Sequence, residues 1–367
     1  MRGILQLIFK ILIFFWLPFV LILCGLWFYR DYQRNLLASE FVIDEPGFIG
    51  VEQDMVVLRR GYEQPAILFF HGGPARPESA FAPQILKDLA QDSALYFWDQ
   101  TGSGLAYQGT DFSRLSWEQL KETSEDVFKQ IASKHQKVFL SGHGYGCLLA
   151  LHVARTLKQD VAGLILTSPL LYPLQDLLDA RTYMMEMAKN LQNSRAYAQL
   201  DEISLPLSVN EAIRIEQWVS RLGGEIYQRG AYREALRLSW YSPFYDLNDL
   251  WNLDRSIIHS IPRLFPGLME ENLSTLTKLD VSVLLLLGER DFRIPKDRVQ
   301  LWFSNLDAVH KKEVRFKEAA HYPQVEATQD WMAEVRMFVS RNPEGFDESA
   351  ATDPASGHAE KLSGQNP

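Results

Sequence analysis

The residues most able to do chemistry in this sequence stand in short stretches, each following a run that reads as a β-strand. Behind the run Ala66–Phe70 comes His71-Gly72-Gly73-Pro74. Glycines at such a place let backbone N–H groups approach an oxygen that is becoming negative, although a plain strand-to-loop turn uses the same residues. Behind Ala94–Trp98 comes Asp99-Gln100-Thr101-Gly102-Ser103-Gly104, which reads mainly as a loop-shaping segment. Behind the run at 137–141 comes Gly142-His143-Gly144-Tyr145-Gly146, leading into a helical pattern over 146–157. Its glycine spacing is that of a G-x-S-x-G turn, in which strand and helix pack too closely for side chains at the outer glycines. The serine slot here holds Gly144. A nucleophile in that slot sits at φ > 0, which costs a residue with a β-carbon about 1–3 kcal/mol and costs glycine nothing. Two further stretches, Glu289-Arg290-Asp291 and Ala320-His321-Tyr322-Pro323, follow the runs at 281–287 and 314–316. They supply a carboxylate and an imidazole, the pair that general acid–base chemistry uses.

Taken together, these motifs resemble those of the proline iminopeptidases and their relatives among the S33 peptidases, from about Phe48 to Arg341. The resemblance implies an α/β-hydrolase fold: a mostly parallel, doubly wound sheet with an inserted helical lid. It implies catalytic positions at Gly144 (the nucleophile slot), Asp291 and His321, in that chain order, and an oxyanion hole from the N–H groups of Gly73 and Tyr145. In such a triad the carboxylate fixes the imidazole tautomer while Nε2 takes the nucleophile's proton. His143 fills a slot where the family often carries histidine, and packing is its expected role. The family usually has arginine before Gly102, and here Thr101 stands there. Specificity for peptides is therefore not carried over. Proline iminopeptidases grip a free amino terminus with lid carboxylates. Glu202, Glu211, Glu216 and Glu225 lie in the corresponding region, without one being assigned.

With no serine in the slot, the candidates for a surrogate nucleophile are Ser141, Cys147 and Ser103. Ser141 ends a strand, Cys147 opens a helix, and nothing local in the sequence would activate Ser103. Two functional readings follow. One is a hydrolase-lineage protein that has lost its serine chemistry and binds a small molecule or short peptide. The other is an active aminopeptidase or esterase, using a surrogate or water activated by His321 and Asp291. A lyase or oxygenase using the same pair has no supporting feature. No cofactor or metal motif is present in the sequence.

The elements that must position these residues alternate. Strand-like runs at 54–59, 66–70, 94–98, 137–141, 164–167, 281–287 and 314–316 are mostly continuous apolar stretches, as in a sheet buried on both faces. Helical patterns run from a Ser116–Gln119 cap to about 134, and over 146–157, 296–305 and 329–341. The alternation breaks over 172–277, which is helical in period and rich in Trp, Tyr and Met, and reads as the lid. The core is then 48–171 with 278–342, and residues 343–367 read as a disordered tail.

At the N-terminus, residues 11–28 carry no charge, and that stretch is flanked by Lys10 and Arg30. At about 1.5 Å per residue such a run crosses a bilayer core, and its end at Leu26-Trp27-Phe28-Tyr29 resembles an interfacial belt rather than a cleavage site. Residues 1–30 are expected to be a single-pass anchor to the lipid bilayer and 31–47 a connector. Positive charge at both ends leaves the orientation open. A net charge of −9 without a basic stripe excludes a nucleic-acid binder. Two cysteines, Cys24 and Cys147, exclude a disulfide framework.

Overall fold

The computed structural model describes residues 12–41, 47–158 and 160–341, so residues 1–11 of the expected anchor and the expected tail at 343–367 lie outside the described residues. Eight strands form the main sheet: β1 (Phe48–Glu52), β2 (Met55–Arg59), β3 (Ala66–Phe70), β4 (Ala94–Trp98), β5 (Val138–His143), β6 (Val161–Thr167), β7 (Val283–Gly288) and β8 (Lys311–Phe316). Their order is β1-β2-β4-β3-β5-β6-β7-β8. Strands β4, β3, β5, β6, β7 and β8 run parallel, while β2 is antiparallel to both of its neighbours. This is the α/β-hydrolase fold.

Helix α1 (Leu17–Ser39) precedes the sheet, and α2 (Trp117–Ala132) and α3 (Gly146–Thr156) flank it. The lid is built from α4 (Pro173–Asn190), α5 (Ser194–Asp201), α6 (Val209–Arg221), α7 (Arg229–Trp240) and α8 (Leu247–Glu270). The sheet layer resumes with α9 (Lys296–Asn305) and α10 (Thr328–Ser340). Central strands β5 and β7 are buried along their whole length because successive side chains serve opposite faces. Leu68, Leu140, Leu166 and Leu285 pack in one cluster with α2 and α3. Ile67, Phe139, Ile165 and Leu284 pack in the other with Trp331 and Val335 of α10. The lid has its own core, including Met184, Leu200, Ile215 and Trp218.

Strand β1 was not expected. It is a half-buried edge strand with no continuous apolar run, paired to β2 across a tight turn in which Gln53 takes φ +55°. Strand β8 likewise starts earlier than its apolar residues, because an edge strand tolerates Lys311, Lys312 and Glu313. The helical expectations hold to within two residues at each end, and Ser116 Oγ accepts from Gln119 N at 3.1 Å.

The N-terminal helix is long and apolar enough to cross a membrane over Ile13–Ser39. It does not stop at residue 30, so the expected connector is helical through Ser39, while residues 42–46 lie outside the described residues. Arg30 and Arg34, one turn apart, explain the continuation. Arg30 Nε and Nη2 donate to the carbonyls of Trp240 and Tyr245, both at 3.1 Å. Arg34 donates to Ser242 O at 3.0 Å and Pro243 O at 3.2 Å. The charges that look like the end of an apolar run hold a continuing helix against the segment between α7 and α8.

Candidate active site

The end of β5 turns into α3 within three residues, and the glycines there are dictated by contact. A β-carbon on Gly146 would lie 2.1 Å from Phe70 O, and one on Gly142 would lie 2.6 Å from Cys147 Cα. At the centre of the turn Gly144 takes φ +51°, a conformation that disfavours side chains. Its backbone is held by Gly144 N donating to Thr167 O at 2.9 Å and Leu170 N donating to Gly144 O at 3.2 Å.

The loops after β7 and β8 bring Asp291 and His321 to the same place. His321 Nδ1 lies 2.8 Å from Asp291 Oδ2, so the imidazole keeps its proton on Nδ1 and presents Nε2 as an acceptor. Asp291 Oδ1 accepts from Arg293 N at 2.8 Å, which orients the carboxylate. Both side chains are essentially excluded from solvent. Burial pushes the His321 pKa below its ordinary 6.5, opposed by Asp291. Nε2 points at the turn: a β-carbon on Gly144 would sit 3.0 Å from it. The N–H groups of Gly73 and Tyr145 have no protein acceptor among the described residues. The Gly72 N–H does not join them, because it donates to Glu78 Oε1 at 3.1 Å.

The surrogate nucleophiles are elsewhere. Cys147 is buried, its thiol raised well above the ordinary value by burial, and it donates to Thr167 O. Ser141 is buried in β5. Ser103 has a basic neighbour from another loop, where His71 Nε2 is 3.1 Å away. That imidazole already accepts from Gln100 N, burial lowers its pKa to about 4, and Ser103 donates to Gln100 O at 2.6 Å. Ser103 itself is buried. Its loop is shaped by Asp99, which takes hydrogen bonds from Ser79, Tyr245 and Leu105 N, in keeping with a structural role.

His143 does more than pack. Its Nδ1 pairs with Glu78 at 2.5 Å and its Nε2 donates to His321 O at 2.9 Å. Against burial, the Glu78 carboxylate raises the His143 pKa, and His143 with the Gly72 N–H holds Glu78 at about 2. Of the lid carboxylates, Glu202 and Glu211 stand away from the site, Glu211 closing the N-terminal capping box of α6. Glu216 and Glu225 reach it, and both are already paired. Arg293 contacts Glu216 at 2.6 Å and Glu225 at 3.1 Å, and Arg76 contacts them at 3.5 and 3.9 Å. Glu78, Arg76 and Arg293 were not singled out from the sequence. Their only local signal is charge in motif loops, and their partners come from distant segments.

Residues 63–328 match the family model described as serine aminopeptidase, S33. The chain belongs to the serine aminopeptidase S33 family. Its relatives include a probable aminopeptidase, YbaC, of Bacillus subtilis strain 168, 24% identical over 72% of this chain and 85% of that one. A proline iminopeptidase-related protein from Thermus thermophilus superposes with a TM-score of 0.53 at 21% identity, over 79% of this chain and 96% of the other. An esterase from Exiguobacterium antarcticum gives 0.52 at 15% identity, over 80% and 100%. This S33 protein is thus of the aminopeptidase/esterase hydrolase type, and its proline iminopeptidase-like resemblance stands.

Proposed function

We propose that this S33-family protein is a bilayer-tethered binder of a small molecule or short peptide, impaired in serine hydrolysis because Gly144 occupies the nucleophile position. The single observation that carries this is the φ +51° turn at Gly144 facing the unpartnered Nε2 of a buried His321–Asp291 pair. In a serine cycle the hydroxyl at that turn would attack a carbonyl. His321 Nε2 would take its proton, Asp291 would hold the imidazolium, and the N–H groups of Gly73 and Tyr145 would bind the oxyanion. Here the same donors and base are available to a bound carbonyl or carboxyl group, and the attacking oxygen is absent.

The apolar helix α1 supports the tether. A second reading is supported by the free Nε2, which could act as general base on a water. Triads without their serine retain about 10³–10⁴-fold over water, far below a working hydrolase. The test is turnover of p-nitrophenyl butyrate and alanyl p-nitroanilide by the full chain. The expected result is no turnover beyond that residual. A kcat in the ordinary enzymatic range, roughly 1–10³ s⁻¹, would overturn the proposal.

A further inference from the structure

We propose that the cleft between the lid and the Gly144 turn binds an apolar carboxylic acid, with its chain among α4, α6 and α8 and its carboxylate at the N–H groups of Gly73 and Tyr145. This rests on the reading of Gly144 as the nucleophile position and narrows the ligand that the position serves.

The cleft lies between the lid helices and the core loops that carry Gly73 and Tyr145. Its walls are Leu177 of α4, Ile213 of α6, and Phe265 and Met269 of α8, none of which offers a hydrogen bond. Polar groups gather only near the catalytic-type turn, where Gly73, Tyr145, Glu216 and Arg293 line it. A lining of that kind favours an amphiphile with an apolar body and one polar head.

The charges select the head. An ammonium would need an uncommitted carboxylate, yet Glu216 and Glu225 are each paired with Arg293 and approached by Arg76. The two carboxylates and two guanidiniums cancel, and an entering amine would meet both cations. A carboxylate instead meets the two open N–H groups, at the N-terminal end of α3, where the helix dipole favours negative charge. The second pointer is the buried His321 side chain, held by Asp291 through Nδ1, with its Nε2 directed at Gly144 beside that cleft. A group that can share a proton with that nitrogen, as a carboxyl can, satisfies it.

The experiment uses the full chain in lipid nanodiscs with a decanoic acid carrying a terminal diazirine and an alkyne, and adducts are mapped by mass spectrometry. Adducts are expected at Leu177, Phe265 or Met269. Excess decanoate should reduce them about tenfold, whereas decylamine and methyl decanoate should leave them largely unchanged. Leu177→Trp and Ile213→Trp, at two half-buried wall positions, should each reduce cleft adducts to a similar degree. Probe dissolved in the bilayer should still mark α1, an internal reference in every variant. Adducts confined to α1 would overturn the proposal, as would equal competition by the amine. Competition by the methyl ester as strong as by the acid would overturn the carboxylate assignment. Failure here is separable from failure of the Gly144 reading, which would show as fluorophosphonate labelling of the unaltered chain.

Discussion

A β-carbon at Gly144 would stand 3.0 Å from His321 Nε2, a contact tighter than an unstrained side chain makes. The imidazole has thus settled closer to the turn than a serine would allow. Restoring the serine asks the ring to withdraw by a few tenths of an ångström and returns a side chain to positive φ. Gly144→Ser should therefore lower stability by about 1–3 kcal/mol, measured by denaturant unfolding. An unchanged midpoint would mean that the turn is not strained. In the same variant, kcat/KM for an ester should require neutral His321. Burial lowers that pKa, so the acidic limb of the profile should fall below pH 6.5, and a limb above it would contradict the burial argument. That Gly144, Asp291 and His321 come together was legible in the sequence because each sits in a local motif behind a strand. The pairing of Glu216 and Glu225 was not, because it depends on Arg293 and Arg76, distant in the chain.

Elements are where the sequence was both most and least legible. Strands buried on both faces announce themselves as apolar runs, as β5 and β7 do. The half-buried β1 does not, and the helical extension over residues 31–39 was hidden by arginines that look like a boundary. Below the site, Asp99 ties the loop after β4 to Tyr245 and Ser79. Burial raises its pKa to about 7. The stability of the neutral form is fully present below the ordinary carboxylate value near 3.8, and is lost as pH rises through about 7. Asp99→Asn should remove that contribution. Between pH 5 and pH 8 the melting temperature should fall more in the unaltered chain than in the variant, by roughly 2–4 °C. Parallel pH dependences would show that Asp99 is ionised throughout.

For the whole molecule, the apolar N-terminal helix α1 and the hydrolase layer meet through the lid. A truncation after Phe28 keeps Arg30 and Arg34, whose bonds fasten α1 between α7 and α8, while one after Arg34 removes both. The shorter cut is expected to give a soluble, folded protein. The longer cut should lower its melting temperature by several degrees, since buried Arg30 loses partners that a charged hydrogen bond makes worth about 1.5–3 kcal/mol. Equal melting would make the docking incidental.

The central claim is that everything a serine hydrolase of this family needs is assembled here except the attacking oxygen. Labelling by a fluorophosphonate probe, read as intact mass on the unaltered chain and on Gly144→Ser side by side, tests it most directly, because the probe reacts only with an activated nucleophile. The account predicts no adduct on the first and one adduct, at residue 144, on the second. An adduct on the unaltered chain, or none on a folded Gly144→Ser protein, would contradict it.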